Sequence, residues 1–335
     1  MPLAAMSRLV AEPGTIPRPG DLLLARVERV GKHAHLEGVD GRRSALFVGD
    51  EIVVCCAARY APDQFDADMP GSLSACHLVA GGGVAGVVRA RHAAVGAPTE
   101  IVPLGLIADA TGHVANLADH AMEAIAMPSV RRPITIASLG TSMNAGKTTS
   151  AAYLIRGLVR AGMRVGAAKV TGTGSGNDPG LLRDAGAALV LDFTDAGHAS
   201  TCNLNLACLL RAASSLVAHL SAARVDAVVL EVADGLFQRE TSALLGSPGF
   251  AAMLDGVLFS SNDAMGAAAG AQWLRERALP LLAMSGTVTR SPLARQEAAQ
   301  ASCLPVLGLD ELGSADIAKG LWMQAAERRT AGAAA

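Results

Sequence analysis

Apolar residues follow two different rhythms along this chain. From Pro19 onward they come in short alternating segments: 21–30, 33–36, 44–48, 51–57, then 77–79, 84–91, 99–106 and 114–117. Period-two segments broken by glycine predict strands, and the Asp40-Gly41 step is a hairpin signal, so this part reads as a small β-barrel or twisted sheet. The stretch APDQFDADMPGS reads as a loop, Gly81-Gly82-Gly83 as a turn or joint, and 118–127 as a short helix. After Ile134 the rhythm changes to strands at 134–139, 164–170, 188–192, 227–232, 256–260, 279–283 and 304–307. Helical stretches at 147–161, 179–187, about 203–222, 238–245, 264–277, 291–301 and 314–328 separate them. Strands alternating with helices predict a parallel sheet with crossovers. The expected fold class is therefore α/β, a doubly wound, mainly parallel sheet, preceded by a smaller β-rich domain. The expected boundaries are a loose leader at 1–17, a β-rich domain at 18–127, a Pro/Arg linker at 128–133 and the α/β domain at 134–330.

One stretch dictates a chemistry. ITIASLGTSMNAGKTTS, residues 134–150, runs from an apolar strand through a glycine turn into a helix-forming segment. Its Gly146-Lys147-Thr148 step is the mark of a phosphate-binding loop: backbone N–H groups wrap phosphate oxygens, the lysine reaches the terminal phosphates and the hydroxyl ligates Mg²⁺. The residues placed to hold a nucleotide are Gly140, Thr141, Asn144, Ala145, Gly146, Lys147, Thr148 and Thr149. The strict pattern needs glycine at Thr141, and here it stands one residue earlier, at Gly140. Lysine is scarce, with only Lys32, Lys147, Lys169 and Lys319 among 28 basic residues, which favours a specific use for the compact ammonium at 147. Gly81-Gly82-Gly83 has no Gly-Lys-Thr after it and is not a second phosphate cradle.

Ligands of a doubly wound sheet gather at the carboxyl ends of its strands, so those residues are the ones to inspect. The second strand ends in Lys169, where an ammonium can offset charge on a transferring phosphoryl group, and TGTGSGND after it reads as a mobile substrate loop. The fourth strand runs VDAVVL straight into Glu231, the position for a carboxylate that orients Mg²⁺ or its water. The bland alternative is a carboxylate neutralised by Arg239; Asp234 is a weaker second candidate. Asp178, Asp184, Asp192 and Asp195 compete to complete a metal shell, and His198 stands at the same edge. Residues 260–263 and 285–290 are candidates for holding base and ribose. Neither is Asn-Lys-x-Asp, which favours ATP and leaves GTP open.

Composition removes other classes. Net charge is −2 and aromatic residues are 3%, so nothing argues for nucleic acid or an anionic membrane. No apolar run approaches the roughly 20 residues of a spanning helix. The first residues lack a signal-peptide h-region, and the six cysteines show no C-x-x-C or zinc spacing, which points to reduced thiols in the cytoplasm.

GTSMNAGKTT, Lys169, LLRDAGAAL and VVLEVADG together resemble the dethiobiotin synthetase branch of the P-loop proteins, alongside the cobyrinate amidases and partitioning ATPases, over about residues 134–310. A glycine displaced to 140 is typical of that branch. The resemblance implies ATP and Mg²⁺, and transfer of the γ-phosphoryl group to a carboxylate or carbamate, giving a mixed anhydride that a nitrogen then attacks. It implies Lys147 on the phosphates, Lys169 steadying the acyl oxyanion, and Thr148, Asp184 and Glu231 at the metal; a homodimer is suggested by the family alone. Ser142 and Met143 depart from the family's Asp-Thr, Ala233 stands where it has glycine, and the β-rich domain is foreign to it, all of which weigh against the biotin precursor as substrate. The expected function is Mg²⁺- and ATP-dependent phosphorylation of a small acceptor for C–N bond formation. The alternatives are an NTPase switch, such as a metallochaperone or cofactor-insertion GTPase docking partners through the β-rich domain, and nucleotide binding without turnover.

Overall fold

The computed structural model describes residues 8–39, 41–125 and 132–333. Asp40 of the hairpin signal, residues 1–7 of the leader, 126–127 of the short helix and 128–131 of the linker lie outside the described residues. The chain divides into two compact units. One holds the described residues up to Glu123 with Gly172–Gly176 and Phe193–Asn203; the other holds the remainder of the chain.

The first unit contains β1 (Arg8–Val10), β2 (Leu22–Arg29), β3 (His35–Glu37), β4 (Arg43–Ala45), β5 (Glu51–Cys56), β6 (Arg59–Tyr60), β7 (Phe65–Asp68), β8 (Cys76–Ala80), β9 (Val84–Arg91) and β10 (Thr99–Ala108). Pairing runs β2 to β5, β5 to β9, β9 to β8, β8 to β10 and β10 back to β2, a closed five-stranded barrel. Alternation builds its core, since Leu23, Ala25 and Val27 of β2 meet Ile52, Val54 and Cys56 of β5 inside. β3 and β4 form the hairpin that Asp40-Gly41 signalled.

Several expectations for this unit are corrected. Arg8–Val10, within the expected leader, pairs antiparallel with β10. The expected loop at 61–72 carries β7, whose Phe65 and Ala67 face inward while Asp66 and Asp68 face out to Arg89. Those acidic residues disguise an ordinary period-two strand. Val114–Leu117 makes only isolated bridges, and the helix there is a single 3₁₀ turn, Leu117–His120. The Gly172–Gly176 part of the expected mobile loop is bonded within this unit, with Thr173 bridging Ser200, Gly174 N–H donating to Ala199 O, and Gly176 N–H donating to Glu37 Oε2 at 2.6 Å. Its glycines fit close approaches: a Cβ at Gly82 would lie 2.1 Å from the Gly174 carbonyl oxygen.

The second unit contains β11 (Ile134–Gly140), β12 (Val165–Lys169), β13 (Leu189–Asp192), β14 (Ala227–Glu231), β15 (Gly256–Ser260) and β16 (Leu281–Ser285). They form one parallel sheet in the order β13-β12-β14-β11-β15-β16. Burial of β11, β12, β14, β15 and β16 is complete, as their unbroken apolar runs require. The helices are α1 (Lys147–Arg160), α2 (Asn177–Asp184), α3 (Leu206–Ala222), α4 (Arg239–Leu245), α5 (Pro248–Ala251), α6 (Ala264–Arg275), α7 (Pro292–Ser302), α8 (Leu309–Leu312) and α9 (Ala315–Ala333). α1 packs with α2, α8 and α9, whereas α3 packs with α4 and α5, and α6 with α7. The central α1 buries Ala151, Leu154, Ile155 and Leu158, one stripe at helical spacing.

The seventh expected strand, 304–307, is reduced to a single bridge between Met284 and Val306. Pro305 has no N–H to donate, and its carbonyl instead accepts from Met284 N–H at 2.8 Å. Arg132 locks the start of β11 through two bonds to the buried Asp255, at 2.6 and 2.9 Å, while Thr135 N–H donates to the same carboxylate. All six cysteines are free thiols. No helix among the described residues is long and apolar enough to cross a membrane.

Candidate functional site

The last rungs of the parallel sheet are polar although its middle is apolar. Register aligns Asp192 with Lys169, Lys169 with Glu231 and Glu231 with Ser138; above them Gly140 aligns with Ser260, and Ser260 with Ser285. Neighbouring strands lie about 4.8 Å apart, so these side chains form one row at the carboxyl edge. All but Gly140 are buried polar groups that must find partners on the spot. Ser138 Oγ donates to the Lys147 carbonyl at 2.9 Å, and Ser150 Oγ contacts Ser285 Oγ at 3.1 Å, which ties α1 to the strand ends.

β11 delivers the chain into the loop, and the loop turns into α1 through Asn144 at φ 62° and Gly146 at φ 99°. Gly146 caps the helix without a side-chain hydrogen bond, so the first amides of α1 are left for an anion. The displaced glycine has a spatial cause: a Cβ at Gly140 would lie 2.7 Å from Lys147 Cγ, where the lysine stem folds back. Lys147 Nζ donates to the Ser142 carbonyl at 2.6 Å, inside the curl of the loop. Burial lowers its pKa, and Asp234 and Glu231 push back.

Thr148 Oγ1 donates to Glu231 Oε1 at 2.6 Å, joining the hydroxyl and the carboxylate expected at the metal. Glu231 is 2% exposed, and its other oxygen, Oε2, is buried and accepts no hydrogen bond. Burial raises its pKa, opposed by the neighbouring Lys169. Arg239 does not neutralise it: that guanidinium bonds Glu240 at 2.8 Å. Lys169 is ion-paired with Asp178 in the first turn of α2. Its burial favours the neutral amine, but Glu231 and Asp178 outweigh that and hold the pKa above the ordinary lysine value.

Among the described residues no group of three or more His, Cys, Asp or Glu side chains could hold a metal by itself. The pair Thr148 and Glu231, with its orphaned Oε2, fits a hard cation that brings phosphate and water oxygens with it. Asp184 is not brought to this pair. It is exposed in the last turn of α2, six residues beyond Asp178 and so about 9 Å along the helix. The start of α2 is the end that reaches the strand tips, where Asp178 pairs with Lys169. Asp195 and His198 fall in the first unit.

The stretches expected to hold base and ribose pack on the loop. Thr141 N–H donates to Ser260 O at 3.0 Å, Asn262 Nδ2 to Ser142 Oγ at 3.1 Å, and Thr287 Oγ1 to Asn262 Oδ1 at 2.7 Å. Thr287 N–H donates to the Ala145 carbonyl at 3.0 Å. Gly235 closes the opposite side, where a Cβ would lie 2.3 Å from the Thr141 carbonyl oxygen. Sequence reasoning missed Ser138 and Gly235. A serine inside an apolar strand and a glycine just past a strand-ending carboxylate are the signals that could have found them.

A parallel sheet with helices on its faces, and a Gly-Lys-Thr loop between its central strand and the following helix, is the P-loop NTPase fold; the β-rich unit accompanies it. No protein-family model matches the sequence, and comparison with curated proteins finds no match. Among solved structures, the chain is similar to the signal recognition particle 54 kDa protein of Aeropyrum pernix K1 in complex with GDP, at 19% identity and TM-score 0.39, over 60% of this chain and 50% of that one. It is also similar to a ParA family ATPase of Chlorobium tepidum TLS, at 10% identity and TM-score 0.36, over 58% and 98% of the two chains. For the cell division protein FtsY of Thermotoga maritima the values are 16% and 0.35, over 64% and 65%. The chain thus spans half the length of the first of these. The fold assignment rests on the strand order and the loop.

Proposed function

We propose that the second unit binds a magnesium nucleotide, ATP first and GTP second, and transfers its terminal phosphoryl group to a small carboxylate or carbamate acceptor for C–N bond formation. The observation that carries this reading is that two buried ammonium groups, Lys147 of α1 and Lys169 at the end of β12, both feel the charge of Glu231, which Thr148 holds by a hydrogen bond. Thr148 and Glu231 would hold the magnesium ion, which supplies charge neutralisation on phosphoryl oxygens. Lys147 leaves the Ser142 carbonyl for the terminal phosphates, and the open amides of α1 take phosphate oxygens. In the transfer the γ-phosphorus forms a bond to an acceptor oxygen, its bond to the bridging oxygen breaks, and the nucleoside diphosphate leaves. Lys169 balances the acceptor's charge, so catalysis is positioning and electrostatics. The proposal places the chain in the cytoplasm, where its six thiols stay reduced.

A second reading, an NTPase switch, is favoured by one feature. Phe237 and Met265 are 85% and 83% exposed, and they stand two residues and one residue from the glycines that press on Thr141. Apolar side chains at that rim suit a partner protein. Product analysis separates the readings. Acceptor-dependent release of nucleoside diphosphate with a stoichiometric phosphorylated or condensed product supports the ligase. Release of diphosphate and inorganic phosphate alone, across a screen of small carboxylates and amines, supports the switch.

A further inference from the structure

We propose that Asp178 is the exchangeable counter-ion of Lys169, holding the ammonium until an incoming oxyanion, a carboxylate or a phosphoryl group, takes its place. The source of the oxyanion rests on the reading above; the exchange does not.

Lys169 is flanked in register by two carboxylates, Asp192 and Glu231, yet its ion pair goes to neither. Glu231 has little water to turn into, being 2% exposed. It lies in a fully buried strand, gives Oε1 to Thr148 and keeps Oε2 without a donor. Asp178 differs: its side chain is 33% exposed and it lies in the first turn of an eight-residue helix. A carboxylate with solvent on one side can turn to water at little cost, whereas a buried ammonium, at 10% exposure, must always have a partner. Charge points the same way. Lys147 and Lys169 face Glu231, Asp178 and Asp234, each of which acts on both lysines. An oxyanion arriving at Lys169 therefore competes with carboxylates already there, and it gains the ammonium when one of them withdraws. Asp178 is the carboxylate that both pairs with Lys169 and has water to withdraw into, and Lys169 is the cation its withdrawal exposes.

The test is calorimetric titration of the full chain as wild type, Asp178→Asn, Asp178→Ala and the double variant Asp178→Asn/Lys169→Met. The probes are inorganic phosphate alone, Mg·ADP, and Mg·AMPPNP, a non-hydrolysable ATP analogue. Removing the competing carboxylate is expected to tighten the oxyanion ligand about tenfold, on the scale of one charge-assisted hydrogen bond. Mg·ADP should stay within about twofold, and the double variant should lose the gain. A gain for Mg·AMPPNP but not Mg·ADP assigns the oxyanion to the nucleotide's terminal phosphate; a gain for phosphate alone assigns it to the acceptor. Unchanged or weaker binding of both phosphate and Mg·AMPPNP in the two Asp178 variants overturns the exchange. If the wild type binds no Mg·ADP, the nucleotide reading fails, and the phosphate titration still decides the exchange.

Discussion

Residues acquire roles here from burial more than from identity. Glu231 is one of 30 acidic residues, but it ends a fully buried strand with one oxygen on Thr148 and one on nothing. In the barrel, His33 shows the same principle without a catalytic role. Arg59 NH1 donates to its Nε2 at 3.1 Å and Phe65 meets its ring edge-on. Burial, reinforced by the Arg59 charge, pulls its pKa from 6.5 to about 4. Between those values the unfolded chain takes a proton that the folded chain refuses, so stability is intact above pH 6.5 and falls as pH drops toward 4, by at most about 3 kcal/mol. Chemical denaturation of the wild type and His33→Gln across that window should show a shallower acid decline in the variant; parallel curves would remove His33 from the account. The placement of Lys147, Lys169 and Glu231 was legible in sequence because each ends or begins an element. The pairing of Asp178 with Lys169 was not, since it depends on which end of α2 faces the strand tips.

At the scale of elements, apolar runs long enough to be buried on both faces announced all six strands of the parallel sheet. The misses have physical causes: Pro305 interrupts the pairing of 304–307, and charged outer faces disguise β7. Loop packing was the least legible, because close approach leaves only a glycine as its trace. Gly235 is the clearest case. An alanine there would drive a Cβ to 2.3 Å from the Thr141 carbonyl oxygen, a rigid backbone atom. The loop must shift, with overpacking strain of about 1–3 kcal/mol, so Gly235→Ala should weaken Mg·ADP binding by about tenfold while the barrel keeps its fold. Unaltered affinity, measured by calorimetry beside an unaltered circular dichroism spectrum, would mean that this contact does not set the loop.

For the whole molecule, two kinds of core share one chain: a barrel closed by alternating residues and a sheet buried on both faces. The expectation of two parts was readable from the change of rhythm near Ile134. That Gly172–Gly176 and Phe193–Asn203 belong with the barrel was not, because bonds such as Gly176 N–H to Glu37 join residues 139 apart in sequence. The proposed magnesium-nucleotide site lies in the second unit, with the loop, two lysines and Glu231 as its residues. It is tested most directly by titrating the wild type and Lys147→Ala with ATP, with and without Mg²⁺. Mg²⁺-dependent binding by the wild type is expected, and in Lys147→Ala a loss of at least about tenfold, one charge-assisted hydrogen bond, with thermal unfolding preserved. Equal affinity in the two proteins, or no binding by the wild type, would contradict it.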